Sequence, residues 1–452
     1  MTPPPPPLRS PRPGRTVPLS ALARGARLAA LPLGFAGRSA VRAGKLLAGQ
    51  PAELLTEELQ RRTSRHLFRV LGELKGGAMK FGQMLSVFEA ALPAEAMGPY
   101  RAALTLLQEA APALPAEQVH RVLAAELGPD WRTAFQSFED EPAAAASIGQ
   151  VHRAIWGDGR PVAVKIQYPG AGEALLGDYA RLGRAVKLCS VIAPGLDVQP
   201  MLDELRERVA EELDYRREAV AQRAFAEAYR GGGEVVVPDV VAATERVLVT
   251  EWLDGTPLSR VVRDGSPAER DAAGLAYVRF LLSGPSRAGY LHADVHPGNF
   301  RLLPDGRLGA VDFGAVKELP DGFPPAMGRL VRLALAEDWE GARAVLVQEG
   351  FLRPDARLEE DALRAFLTPI AEPARAERHR FSREWLRAQV ANAAGAHRTA
   401  LLRSLNLPPS YVLVNRVVGS AVAVLAQLDC TLPFREELLR WLPDGADAPD
   451  PA

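Results

Sequence analysis

Two cysteines in 452 residues, Cys189 and Cys430, are too few and too far apart for a disulfide framework or a zinc site, which makes a reducing compartment the default. Long apolar runs are missing as well. The longest, Val417–Leu428, falls short of the roughly 20 residues that a bilayer crossing needs, and Ser420 interrupts it, so no transmembrane helix is predicted. Near the N-terminus Pro32, Gly34 and several arginines break up any apolar segment, which argues against a secretory signal. These absences point to a cytoplasmic chain with at most a peripheral membrane contact. A formal net charge of -1 argues against a nucleic-acid partner. The charge is nevertheless uneven. Residues 1–52 contain no Asp or Glu but hold Arg9, Arg12, Arg15, Arg24, Arg27, Arg38, Arg42 and Lys45, so the remainder is acidic.

The length allows a two-lobed catalytic unit with an extension. Residues 1–16, with their run of prolines, read as a disordered tail, and 17–52 as a basic amphipathic segment. That segment fits an anionic lipid surface and fits a solvated helix packed on the catalytic unit equally well. Residues 53–130 have helical periodicity broken by prolines, forming an all-helical extension. Residues 131–255 read as a smaller lobe with inserted helices. Its expected strands are Ser147–Ile155 and Pro161–Gln167 around the turn Gly157-Asp158-Gly159, then Glu234–Val241 and Arg246–Trp252, with a long helical region from Glu173 to Tyr229. Residues 256–440 read as a helical larger lobe, all-helical beyond Gly314, and 441–452 as a disordered tail. The fold class expected is α+β, two-lobed and protein-kinase-like.

That expectation rests on LHADVHPGNFRLLPDGRLGAVDFG, residues 291–314. Asp294 and Asn299 share one loop, in which Asp294 faces a nucleophile and Asn299 turns to a metal. The apolar runs Asn299–Leu303 and Arg307–Val311 flank Pro304-Asp305-Gly306 and read as a hairpin that folds Asp312 back beside Asn299. A carboxylate and an amide oxygen there suit Mg²⁺, with ATP or ADP phosphates and water filling the remaining positions. Lys165, in VAVK, is the candidate for the α- and β-phosphates and needs a glutamate partner. Glu211, Glu212 and Glu218 are the candidates, with Glu212 preferred. Upstream, Ala143, Ala144, Ala145, Ala146 and Ser147 occupy the place of a glycine-rich phosphate loop. Alanine restricts φ and the closeness of backbone approach, which predicts altered nucleotide geometry. VLVTEWL reads as the hinge between lobes, with backbone groups near Glu251 and Leu253 for adenine.

The segment that regulated protein kinases use for control is depleted. Ala293 stands where they have Arg, and Ser, Thr and Tyr are absent from Ala315 through Trp339. Activation by phosphorylation of that segment in its common form is therefore excluded.

With KFGQ at 80–83, PAAAASIGQVHRA at 142–154, VAVKIQYPG at 162–170, ELDYRREA at 212–219 and EWLDG at 251–255, the chain resembles the UbiB/AarF family of atypical kinases, which includes the ADCK proteins, over roughly residues 55–430. The resemblance implies that Lys80 and Gln83 belong to a regulatory extension folded over the active site, with Asp214 near Lys80 and Glu212 facing Lys165. It implies a kinase or ATPase coupled to isoprenoid-quinone, ubiquinone-like lipid biosynthesis at a membrane surface, with lipid or quinone intermediates and biosynthetic enzymes as partners. The alternative is a nucleotide-gated scaffold or lipid-binding pseudokinase with little turnover.

Overall fold

The computed structural model describes residues 113–353 apart from 147, 171 and 173–212, together with 360–393 and 408–442. The tails, the basic segment, most of the helical extension with Lys80 and Gln83, and also Ser147, Glu211 and Glu212 lie outside the described residues.

The smaller lobe is a five-stranded antiparallel sheet built from β1 (Phe135–Ala145), β2 (Gly149–Trp156), β3 (Pro161–Gln167), β5 (Val240–Ala243) and β6 (Val247–Glu251). Its spatial order is β1-β2-β3-β6-β5. Alternation along β3 buries Val162, Val164 and Ile166 on one face. Helix α1 (Ala116–Leu127) lays Val119, Val122 and Leu123 on that face, the spacing of one helical stripe. Each such side chain contributes about 1.5–3 kcal/mol when fully buried. The β2–β3 hairpin matches the sequence expectation, but β1 was not anticipated. The reason is its irregular ladder: the register shifts between Phe138 and Pro142 and again before Ala144, which erases the two-residue alternation.

Gly149 opens β2 where the backbones crowd. A Cβ there would stand 2.2 Å from the Ile166 carbonyl oxygen, which no rotamer change can relieve. Gly149→Ala is therefore expected to destabilise the chain by about 1–3 kcal/mol, the usual cost of overpacking, read as a lower denaturant midpoint at unchanged slope.

Helix α2 (Tyr215–Ala228) packs behind the sheet and leads to β4 (Val235–Val236) before the chain returns to β5. The short strand β4 does not join the smaller lobe. It pairs in parallel with β10 (Leu308–Ala310) of the larger lobe, in a four-stranded sheet ordered β4-β10-β9-β7 that also holds β7 (Thr256–Pro257) and β9 (Phe300–Leu302). Arg279 pins the same segment by pairing with both Glu234 and the fully buried Glu437.

The larger lobe is organised on α4 (Pro267–Ala288), which follows α3 (Leu258–Asp264). A capping box between Ser266 and Glu269 starts α4, Pro267 occupies its first turn, and Gly289 at φ 73 ends it. Its Tyr277, Phe280 and Leu281 enter a core shared with Phe300, Phe313 and the helix Pro409–Leu428. That helix is longer than the apolar run legible in the sequence, because it begins at a Pro-initiated turn eight residues earlier. Val414, Val417, Val424, Leu425 and Leu428 face the core. Among the described residues no helix is long and apolar enough to cross a membrane. The region after Gly314 is mostly helical, with three short strands the periodicity did not show: Val316–Glu318, His379–Phe381 and Cys430–Leu432. Three residues are too few to reveal an alternation.

Candidate active site

Asp214 caps α2, its carboxylate accepting from the Arg216 backbone N–H at 3.0 Å. From that start the buried face runs through Tyr215, Glu218, Ala219, Gln222 and Phe225. Glu218 is thereby aimed into the lobe, where its carboxylate receives Lys165 Nζ at 2.8 and 3.0 Å. Among the described residues Glu218, the third of the candidates rather than the preferred Glu212, pairs with Lys165. Glu212 precedes the cap and is outside the described residues. The signal was available: Asp214 is a good cap, and a glutamate within the apolar stripe of the helix that follows must be paired. Asp214 itself is engaged as that cap and by the Arg216 guanidinium at 2.8 Å.

Lys165 also meets Asp312 Oδ1 at 3.1 Å. Burial opposes its charge, but the Asp312 and Glu218 carboxylates outweigh burial and raise its pKa above the ordinary lysine value. Burial lifts the Glu218 carboxyl to about 7 against the pull of Lys165. Asp312 ends below the usual carboxylate range, because Lys165 more than offsets its own burial.

Glu218 thus binds its proton more readily in the folded chain, at about 7, than at its ordinary 4.5. Its contribution to stability declines as pH rises through that window. Asp312 has the opposite sign, with a window below 3.8. The expected result is a stability that drifts down between about pH 5 and about pH 7, and a Glu218→Gln variant in which this limb is flatter. Denaturant midpoints across the range check it.

The second half of the site follows α4. Strand β8 (Tyr290–His292) delivers Asp294, a 3₁₀ turn over Pro297–Asn299 follows, and β9 and β10 form the expected hairpin, with Gly306 at φ 86 in its turn. Tyr277 donates its hydroxyl to the Val295 carbonyl at 2.8 Å and fixes the loop from below. Asn299 Nδ2 donates to the Asp294 carbonyl at 3.0 Å. That bond spends the amide's nitrogen and leaves its oxygen as the free acceptor. Val311 N–H donates to the Asn299 carbonyl at 2.8 Å, tying the end of the hairpin to the loop.

Asp312 holds φ 66, a left-handed conformation that few non-glycine residues adopt. Two contacts sustain it. His292 Nε2 donates to the Asp312 carbonyl at 3.0 Å, and Gly314 N–H donates to Asp312 Oδ1 at 3.2 Å. Since a carbonyl only accepts, His292 carries its proton on Nε2, and its buried Nδ1 has no partner. Burial lowers the His292 pKa and keeps the ring neutral. No local feature of the sequence signals this tie between His292 and the Asp312 backbone, which lie 20 residues apart.

No group of three or more His, Cys, Asp or Glu side chains that could hold a metal occurs among the described residues. Asn299 and Asp312 offer two hard oxygens, as a Mg²⁺ bound mainly through water and phosphate requires. Space beside the carboxylate is kept by Gly314, where a Cβ would lie 3.3 Å from Asp312 Oδ1 and 3.2 Å from Glu218 Oε2. The donor set fits the ion.

At the expected phosphate loop, Ala143, Ala144 and Ala145 belong to β1 rather than to a loop, with Ala144 opposite Val151 and Ala145 opposite Gln150. Ladder pairing to β2 extends the strand this far, and all three are exposed. The turn is shorter than expected, closed by Ala146 N–H to the Gly149 carbonyl at 2.8 Å. At the expected hinge, the Glu251 carboxylate is taken by Arg160 at 3.2 Å, and its N–H donates to the Asp239 carbonyl at 3.0 Å. Leu253 lies just beyond the strand end and against Gly309.

Residues 106–346 match the ABC1 atypical kinase-like domain. The chain belongs to this family of atypical kinases, the UbiB/AarF group its motifs indicated. It is 30% identical over 332 residues to the zebrafish (Danio rerio) atypical kinase COQ8B, mitochondrial, covering 72% of this chain and 53% of that protein. It is 32% identical over 312 residues to the Arabidopsis thaliana chloroplastic protein Activity of bc1 complex kinase 3, covering 66% of this chain and 42% of that one. The chain thus spans about half or less of these relatives' length. A solved Mycobacterium tuberculosis structure, the complex of Rv3197 with erythromycin, is 43% identical, with a TM-score of 0.69, covering 88% of this chain and 100% of that one.

Proposed function

We propose that this protein binds Mg-ATP and transfers or hydrolyses its terminal phosphoryl group, in isoprenoid-quinone lipid biosynthesis or homeostasis at a membrane surface. The observation that carries the reading is the meeting of Lys165, Glu218 and Asp312 beside a loop in which the Asn299 amide donates to the Asp294 carbonyl through its nitrogen and keeps its oxygen as an acceptor. Lys165, held by Glu218, binds the α- and β-phosphates. Asn299 and Asp312 hold the metal, which neutralises charge on the phosphate oxygens when bound. The half-buried Asp294 accepts the proton of the attacking hydroxyl or water. Leu253 offers backbone to adenine beyond the committed Glu251 N–H, and the turn at Ala146 and Ser147 covers the phosphates. Lys80, Gln83 and Asp214 form the regulatory side of the site, and the basic residues of 1–52 supply the contact with anionic lipid.

The test is phosphate release from ATP and Mg²⁺ by the full chain, with and without anionic vesicles and a phenolic quinone-precursor mimic, alongside Asp312→Asn. Turnover raised by vesicles and lost in the variant supports the reading. Nucleotide binding without any phosphate release moves the protein to the scaffold alternative.

A second reading is favoured by the Mycobacterium tuberculosis relative, solved with erythromycin. On it, this chain binds a macrolide. Calorimetric titration of erythromycin, alone and with ADP, decides the matter: no heat at either condition removes it.

A further inference from the structure

Three groups surround the Lys165 ammonium: the Glu218 carboxylate, the Asp312 carboxylate, and the ring face of Tyr215, whose centroid lies 5.1 Å from Nζ. That distance is within the range of a cation–π contact, which gains strength where water is excluded. The lysine side chain is only 13% exposed and Tyr215 only 1%. The carboxylates are not equivalent. On the nucleotide reading above, Asp312 also holds the metal, and an oxygen shared with lysine cannot keep both contacts at full strength. Glu218 and the ring are the partners this exchange leaves in place.

Tyr215 is built to stay where it is. It is the first residue of α2 after the Asp214 cap, its N–H donates to the Glu245 carbonyl at 3.0 Å, and its ring packs with Ile148, Ala219 and Leu248. Its hydroxyl is sealed from water and has no hydrogen-bond partner. A Cβ on Gly149 would come within 3.0 Å of that hydroxyl, so the strand that follows the phosphate turn closes over the ring. An unpartnered hydroxyl adds nothing that the site uses, which leaves the ring face as the working part.

We infer that Tyr215 is a positioning residue whose ring holds the Lys165 ammonium in register while Asp312 passes from lysine to metal, so that phosphate binding depends on an aromatic face at this position. The inference rests on the nucleotide reading and is tested so that the two can fail separately. ADP affinity is measured by calorimetry with Mg²⁺ on the full chain, for Tyr215→Leu and Tyr215→Phe, each in the natural and in a Lys165→Met background. Tyr215→Leu is expected to weaken ADP binding about tenfold, a size in keeping with a desolvated cation–π contact. Tyr215→Phe restores it, and Tyr215→Leu adds no loss once Lys165 is methionine. Replacing Tyr215 by phenylalanine of increasing ring fluorination keeps the shape while draining the face of negative charge, and affinity should fall in steps. This series serves even where the leucine variant folds poorly. Equal loss from leucine with and without Lys165, or a flat fluorination series, overturns the inference and leaves Tyr215 as packing. Absence of ADP binding by the natural chain overturns the nucleotide reading with it.

Discussion

Asp294→Asn is expected to lower the rate of phosphoryl transfer or hydrolysis by about 10²- to 10⁴-fold, the range that loss of a positioned general base produces, while nucleotide binding is retained. The geometry separates the two effects. What Asn299 contacts is the Asp294 carbonyl, at 3.0 Å, and the loop is further held by Tyr277 through Val295. Both bonds involve backbone oxygens, which asparagine leaves intact. The substitution removes only a proton acceptor from a loop that keeps its shape. Single-turnover phosphate release, paired with an ADP titration, reads the split. A rate within a few-fold of the natural chain would take Asp294 out of the chemistry.

Glu218→Ala is expected to cost about 3 kcal/mol of stability, the lower end for breaking a buried ion pair, because Asp312 remains beside Lys165 at 3.1 Å. Nucleotide affinity should fall with it, since the ammonium loses the partner that holds it toward the phosphates. Glu212→Ala, which precedes the α2 cap, is the control and should leave the Lys165 pairing intact. Urea midpoints and ADP titrations of both variants test the assignment. A larger effect from Glu212 than from Glu218 would reverse it.

The two glutamates also show how far the sequence could be read. The order of Lys165, Asp294, Asn299 and Asp312 along the chain, with a hairpin between the last two, was legible because each lies next to a turn or strand end with its own residue signature. The structure brings Lys165 and Asp312 together and ties Asn299 to the Asp294 loop. Choosing among three glutamates depended instead on where a helix begins. A shift of six residues along a helix turns a side chain by well over a full revolution, so an uncertain start leaves the facing residue open until a cap such as Asp214 is recognised. The β1 strand was hidden for a different reason, since a ladder with three register shifts has no constant period to detect. The left-handed Asp312 and its tie to His292 could not be read at all, because nothing local to either residue demands that bond. What set them was long-range closure, in which β8, ending at His292, pairs with Val316–Glu318 just past Gly314.

The pairing of β4 with β10 has a mechanical consequence. The chain touches the larger lobe at Glu234–Val236, where it is stitched into a sheet and clamped by Arg279, and touches it again at Gly255–Pro257, where β7 joins the same sheet and the Gly255 carbonyl receives Arg301 at 3.3 Å. The passage between the lobes is thus tied down at both of its ends, and Phe225 of α2, its ring 5.4 Å from Phe280 and 4.9 Å from Phe313, adds a third anchor. With three anchors out of line, like the legs of a tripod, the helix that carries Tyr215 and Glu218 has a fixed seat on the larger lobe.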